Sequence, residues 1–150
     1  MGHDHPTTGP TPQLRCGPLL EGDAELINAA TDVVDRSSDG AVHTVAAAVR
    51  DGSGRLHVGM NVYHFTGGPC AELVVLGSAR AAGADHLEVI AAVGAGNRGV
   101  LSPCGRCRQV LADLHPRLRV IVPTADGVGS VPIRDLLPFG YEQTYERRPR

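Results

Sequence analysis

Residues 67–93 read GGPCAELVVLGSARAAGADHLEVIAAV, and the fold is read outward from them. Gly67-Gly68 breaks the chain, and Pro69 stands where proline is favoured at the first position of a helix. The predicted helix runs from about Cys70 to Ala82, and Gly83 suits its C-terminal end. Leu87 to Val93 is then a nearly continuous apolar run, the pattern of a strand covered on both faces. Upstream, Thr44–Val49 and Leu56–Val62 flank Asp51-Gly52-Ser53-Gly54 and read as a hairpin. Before them, Glu21–Asp35 carries Leu26, Ile27, Ala30, Val33 and Val34 at helical spacing, and Ser37 to Gly40 ends it. Downstream, Gly94–Pro103 reads as a loop and Cys104–Leu114 as a helix stopped by Pro116. Val120–Val122 reads as a short buried strand, Thr124–Gly129 as a turn and Val131–Leu137 as a last short element. The order implies one sheet covered by helices on both faces, with an antiparallel pair at one edge. Aromatic residues make up only 3 % of the chain, so small aliphatic side chains must fill the core.

A chain of 150 residues is one domain. At that size it buries enough surface to need no disulfide staples. The net charge of −2 gives no general attraction to nucleic acid or to an anionic membrane. The densest basic stretch is only Arg147, Arg148 and Arg150, so the expected ligand is a small molecule. No segment approaches the ~20 apolar residues of a membrane span. The first residues are polar, rich in Pro, Gly and Thr, and lack the apolar centre of a secretion signal. The expected organisation is a disordered arm over 1–20, a single domain over 21–141 and a tail over 142–150, in a cytoplasmic protein. His3 and His5 belong to the arm, as does Cys16, read as a bystander.

The chemistry lies in Cys70-Ala71-Glu72 and in Pro103-Cys104-Gly105-Arg106-Cys107, each set opening a predicted helix. Cys104 and Cys107 are three apart and share a helix face. With Cys70 from the other helix start, three thiolates can converge on one tetrahedral zinc. No fourth ligand is evident near either motif, and three protein ligands with one open position is the catalytic pattern of zinc. Helix N-termini help to keep the thiolates ionised. At the first turn, the Glu72 side chain can reach past the helix end to the open position without ligating. A Cys-x-x-Cys pair alone would equally suit redox chemistry; the second cluster, also at a helix start, favours metal.

Cys-Ala-Glu followed by Pro-Cys-x-x-Cys matches the signature of zinc-dependent nucleoside and nucleobase deaminases, with Cys in place of the first His. The chain resembles the cytidine deaminase superfamily and, within it, the blasticidin-S branch. The likeness is carried by Gly59–Gly77 (GMNVYHFTGGPCAELVVLG), Asn97–Leu111 (NRGVLSPCGRCRQVL), Asp113–Pro116 (DLHP), Ile133–Pro138 (IRDLLP) and Gly140-Tyr141, and spans about residues 22–141. The resemblance implies a three-layer α/β/α sandwich with a mixed five-stranded sheet, usually a homotetramer whose sites are completed by neighbouring subunits. It implies one zinc per chain on Cys70, Cys104 and Cys107, with Glu72 as proton shuttle. The backbones of Ala71 and Ser102 would hold the polar edge of a cytosine ring, and Asn61 would contact the sugar. In the blasticidin-S branch, Thr44, Arg98 and Tyr141 fall where substrate contacts lie. The implied substrate is a cytosine nucleoside, blasticidin S or a related aminoacyl-nucleoside antibiotic, with cytidine or deoxycytidine under relaxed sugar recognition as the alternative.

Several positions depart from the usual cytidine deaminase pattern. The Glu that grips ribose is replaced by the sequence Asn61-Val62-Tyr63-His64, and the base-stacking aromatic near the first strand by His43. The Arg that offsets the thiolate charge is replaced by Leu73, leaving Arg106 or Arg108 for that role. The tail lacks the Trp of the blasticidin-S branch. Elsewhere, His57 and His86 are expected to be exposed on strand edges, and His115 to cap a helix end.

Overall fold

The computed structural model describes residues 16–142. The first fifteen residues of the expected arm and residues 143–150 of the expected tail, with His3 and His5, lie outside the described residues. The elements in chain order are α1 (Asp23–Ser37), β1 (Val45–Asp51), β2 (Leu56–Met60), α2 (Ala71–Ala81), β3 (Leu87–Gly94), β4 (Gly99–Leu101), α3 (Gly105–Leu114), β5 (Arg119–Thr124) and β6 (Gly127–Pro132). A 3₁₀ turn, Ile133–Leu136, follows.

The sheet runs β2-β1-β3-β5-β6, a five-strand path, with the short β4 paired beside β3 as a sixth strand. Only β3 and β5 are parallel; the other pairs are antiparallel, so the sheet is mixed. Two segments differ from the sequence-based reading. The expected loop 94–103 contains β4, whose three residues are held by pairing to Ala92–Gly94. The expected turn 124–129 shrinks to the tip of a β5–β6 hairpin, in which Gly129 faces Val122. Hairpins therefore stand at both ends of the path.

The burial pattern of β1 and β3, nearly continuous along both strands, reflects helices on both faces. Alternate residues of β1 serve different layers. Ala46 and Ala48 pack with Leu26, Ala30 and Val34 of α1, together with Val89, Ala91 and Ile121. Ala47 and Val49 pack with Val75 and Ala79 of α2 and Leu111 of α3. The result is the expected α/β/α sandwich. Both core clusters are built from aliphatic side chains and Cys107, and the described aromatics Tyr63, Phe65, Phe139 and Tyr141 all stand exposed.

Buried ions fix the edges. Asp23, at the start of α1, accepts two hydrogen bonds from Arg119 of β5, at 3.0 and 3.1 Å. Arg50 of β1 lies 3.8 Å from the same carboxylate. Asp51 gathers the β1–β2 turn, accepting from the Ser53 hydroxyl at 2.6 Å and from Arg55. His57 also turns onto Asp51, with Nε2 2.8 Å from the carboxylate. Its side chain is only 9 % exposed, which corrects the expectation of a solvent-facing residue, whereas His86 is exposed. His115 occupies the C-terminal cap of α3, where burial lowers its pKa, helped by nearby His86.

Candidate active site

Cys70 and Cys104 are the N-terminal caps of α2 and α3, each with an extended backbone. Each therefore precedes its helix by one residue, with the preceding proline just outside. Cys107 lies in the first turn of α3 and is completely buried. Packing of α2 and α3 on the same sheet face brings the two helix starts together.

The Sγ atoms of Cys70 and Cys104 are 3.7 Å apart, and the ligand atoms of Cys70, Cys104 and Cys107 all lie within 4.8 Å of one another. Two thiolates bound at ~2.3 Å to a tetrahedral zinc are separated by about 3.8 Å, so the spacing fits that ion. A disulfide would need about 2.05 Å, and all three cysteines are free.

Electrostatics supports the same reading. Burial pushes the Cys107 thiol far above its ordinary range, and the charges of Glu72 and the two other sulfurs add to the shift. Burial also opposes ionisation of Cys104, but the backbone N–H of Cys107, the neighbouring thiols and the backbone N–H of Arg106 outweigh it and lower its pKa. Three sulfurs and a carboxylate packed this closely concentrate negative charge, which a divalent cation relieves. Glu72 is 6 % exposed. Burial raises its pKa, partly offset by its own backbone N–H, by Cys107 and by the positive charge of Arg106.

Between the two motifs lies a cavity of about 220 Å³ whose walls include Asn61, Tyr63, Ala71, Glu72, Ser102 and the thiols of Cys70 and Cys104. Of the residues expected from the sequence, the structure thus brings together Cys70, Cys104, Cys107, Glu72, Ala71, Ser102 and Asn61. Thr44, Arg98 and Tyr141 do not line this cavity. The Arg98 guanidinium is bound to the carbonyls of Ala95 and Thr44, stitching the loop after β3 to the start of β1. Tyr141 lies beyond α3, where its carbonyl accepts a hydrogen bond from Gln109 at 2.8 Å.

A protein-family model for the cytidine and deoxycytidylate deaminase zinc-binding region matches residues 20–123. The chain belongs to the cytidine and deoxycytidylate deaminase family. Blasticidin-S deaminase of Bacillus cereus is 29 % identical over 132 residues, covering 82 % of this chain and 94 % of that protein. Cytidine deaminase of Mycobacterium tuberculosis is 36 % identical over 102 residues, covering 59 % of this chain and 76 % of that one. The crystal structure of cytidine deaminase from Burkholderia pseudomallei superposes with a TM-score of 0.66 at 32 % identity, covering 79 % of this chain and 98 % of that one. Membership of this deaminase family makes the chain a zinc-dependent hydrolytic deaminase, and Cys70, Cys104 and Cys107 are positioned to hold the zinc.

Within this deaminase site, the choice between Arg106 and Arg108 is settled by geometry. Arg106 reaches across from α3 to donate to the Gly68 carbonyl at 2.9 Å and to Cys70 Sγ at 3.6 Å. Arg108 instead binds the carbonyls of Pro103 and Leu136. Tyr63, in the segment that replaces the ribose-gripping Glu, also lines the cavity.

Proposed function

We propose that the chain deaminates the cytosine ring of a small nucleoside-type molecule, namely blasticidin S or a related aminoacyl-nucleoside antibiotic. The observation that carries this reading is the buried Glu72 beside three convergent thiols on one small cavity. Zinc held by Cys70, Cys104 and Cys107 would supply an acidified water, lowering its pKa from ~15.7 to around 7.

In this reading, Glu72 moves protons. Burial raises its pKa, which favours its carrying a proton to ring N3 and later one to the leaving amine. The backbones of Ala71 and Ser102 orient the polar edge of the ring. Asn61 Oδ1 accepts from the backbone N–H groups of Thr44 and Val45, both at 2.8 Å, and Nδ2 donates to Val42 O at 3.0 Å. One amide hydrogen of Asn61 is left for a sugar. Thr44, Arg98 and Tyr141, which lie off the cavity, would complete the site of a neighbouring chain in a homotetramer. A cytoplasmic setting would keep the metal-binding thiols reduced.

The second reading is a cytidine or deoxycytidine deaminase with relaxed sugar recognition. It is favoured by the matches to cytidine deaminases at similar identity. Ammonia release from blasticidin S, cytidine, deoxycytidine and cytosine separates the two. The expected outcome is a higher kcat/KM for blasticidin S than for cytidine. In Glu72→Gln, zinc should be retained while turnover falls by ~10²–10⁴-fold or more. A preference for cytidine establishes the second reading, and ammonia from none of the four refutes both.

A further inference from the structure

We infer that Arg108 is a positioning residue for the reaction: by holding the Pro103 carbonyl, it fixes the direction in which the Ser102 backbone faces the substrate. The inference rests on the proposed cytosine deamination, in which Ser102 meets the polar edge of the ring, and adds a residue that does not touch the ring. Arg108 is not among the residues lining the catalytic cavity.

Only Ser102 and Pro103 lie between the end of β4 and the cap of α3. β4 ends at Leu101, paired with Ala92, and Cys104 is the cap. Few torsions separate the Ser102 carbonyl from Cys104. The peptide bonds on either side of Pro103 are planar, and the pyrrolidine ring locks φ of Pro103. The soft torsion that remains is ψ of Pro103, and that angle sets the direction of its own carbonyl. Arg108 Nε donates to this carbonyl at 2.9 Å. A single hydrogen bond thus closes the last freedom between the zinc motif and the Ser102 carbonyl.

The donor is itself anchored. Arg108 Nη1 donates to the Leu136 carbonyl at 3.2 Å, and Leu136 belongs to the buried cluster that also holds Cys107 and Leu111. Ile133, at the start of the same 3₁₀ turn, donates its N–H to Leu118 O at 2.9 Å. A guanidinium is a rigid planar fork, so fixing one donor on Leu136 aims the other at Pro103, which the flexible point charge of a lysine does not do. Pro103 is buried, so its carbonyl has given up water and depends on this donor. Arg108 also lines, with Ser102 and Leu136, a second cavity of about 430 Å³. Shortening its side chain enlarges the space beside Ser102 and leaves that segment room to retreat. A displacement of about 1 Å in a site costs ~10²-fold in rate.

The test compares the full zinc-loaded chain with Arg108→Met, which keeps an unbranched stem without donors, and Arg108→Lys, which keeps the charge. Zinc content, hydrogen exchange of the Ser102 and Cys104 amides, and kcat and KM for blasticidin S and cytidine are measured. In Arg108→Met, zinc should stay at the wild-type level, and the two amides should exchange at least tenfold faster while those of β3 are unchanged. Its kcat per bound zinc should fall by about 10–100-fold, with KM moved less than threefold. Arg108→Lys should fall between the two, and it carries the same comparison if Arg108→Met does not fold. Turnover that falls only in proportion to bound zinc, a loss confined to KM, unchanged exchange at Ser102 and Cys104, or an Arg108→Lys enzyme equal to wild type would each overturn the role of Arg108. If wild type releases ammonia from either nucleoside and the variants match it, the inference alone fails. If wild type releases none from blasticidin S, cytidine, deoxycytidine or cytosine, the proposed function fails with it.

Discussion

Gly68→Ala is the substitution with the sharpest predicted effect on the metal site. A Cβ at this position would lie 1.8 Å from the Val62 carbonyl oxygen and 2.9 Å from the His64 nitrogen. Ordinary contact begins near 3.4 Å, so the two backbone segments must separate by about 1.6 Å, the difference of those distances, taking 3.4 Å as normal van der Waals contact. Zinc–ligand distances hold to about ±0.2 Å. The strain falls two residues before Cys70, on the segment tied by the Val62–Pro69 hydrogen bond and by Arg106 on the Gly68 carbonyl. A shift several times the tolerance of the site should weaken zinc binding by about 10–100-fold, the scale seen when groups that orient metal ligands are lost. Overpacking of this kind costs about 1–3 kcal/mol, or about 2–12 °C of melting temperature for a protein of this size. Chelator competition reads the first quantity and calorimetry the second. Gly77→Ala is the control. Gly77 lies within α2, and a Cβ there would meet nothing within 4 Å. That variant should gain about 0.5–1 kcal/mol from helix propensity and keep its zinc. A Gly68→Ala protein that binds zinc within threefold of wild type and melts at the same temperature would refute the argument.

Three further outcomes are expected. Arg106→Ala should release zinc to a chelator faster than wild type, because the guanidinium beside Cys70 Sγ is lost, and Arg106→Lys should fall between them; equal release rates would show that the contact is incidental. Asp23 and Asp51 both titrate below the ordinary carboxyl range. For Asp23, burial works against the shift but the Arg119 hydrogen bond and the Leu20 N–H prevail; for Asp51, the Ser53 hydroxyl and His57 lead. Their contribution is complete above the unfolded carboxyl pKa of about 4 and is withdrawn as pH falls through the lower folded values. Melting temperature should therefore drop less steeply below pH 4 in Asp51→Asn than in wild type, and identical slopes would exclude this carboxylate as a cause. Leu111→Ala, in the cluster between α3 and the sheet, should cost about 2–5 kcal/mol in denaturant unfolding; a loss below 1 kcal/mol would mean that the cluster closes around the gap.

The metal site was legible in the sequence because its signals are local. A proline before each cysteine marks a helix start, and the i, i+3 spacing of Cys104 and Cys107 is helical geometry. The buried strand Leu87–Val93 was equally plain from its unbroken apolar run. β4 was not, because a three-residue strand exists only through its pairing with β3. β6 was hidden because Gly127-Val128-Gly129 has turn composition, and it is pairing with β5 that makes it a strand. His57 looked exposed because its partner, Asp51, lies across a turn. Arg106 and Arg108 could not be told apart by sequence, since the separating fact is a contact with Cys70 thirty-six positions away.

The placement of the aromatic rings gives the molecule an unusual optical character. The chain has no tryptophan and three tyrosines, of which Tyr63 stands at the rim of the cavity and Tyr141 beyond α3. Neither belongs to the core clusters. Intrinsic fluorescence at these two positions therefore reports on the surroundings of the site and of the C-terminal segment more directly than on core packing. Global unfolding is better followed by far-ultraviolet circular dichroism. Replacing Tyr141 and Tyr145 with phenylalanine would leave Tyr63 as the one tyrosine and make it a built-in reporter of a ligand entering the cavity.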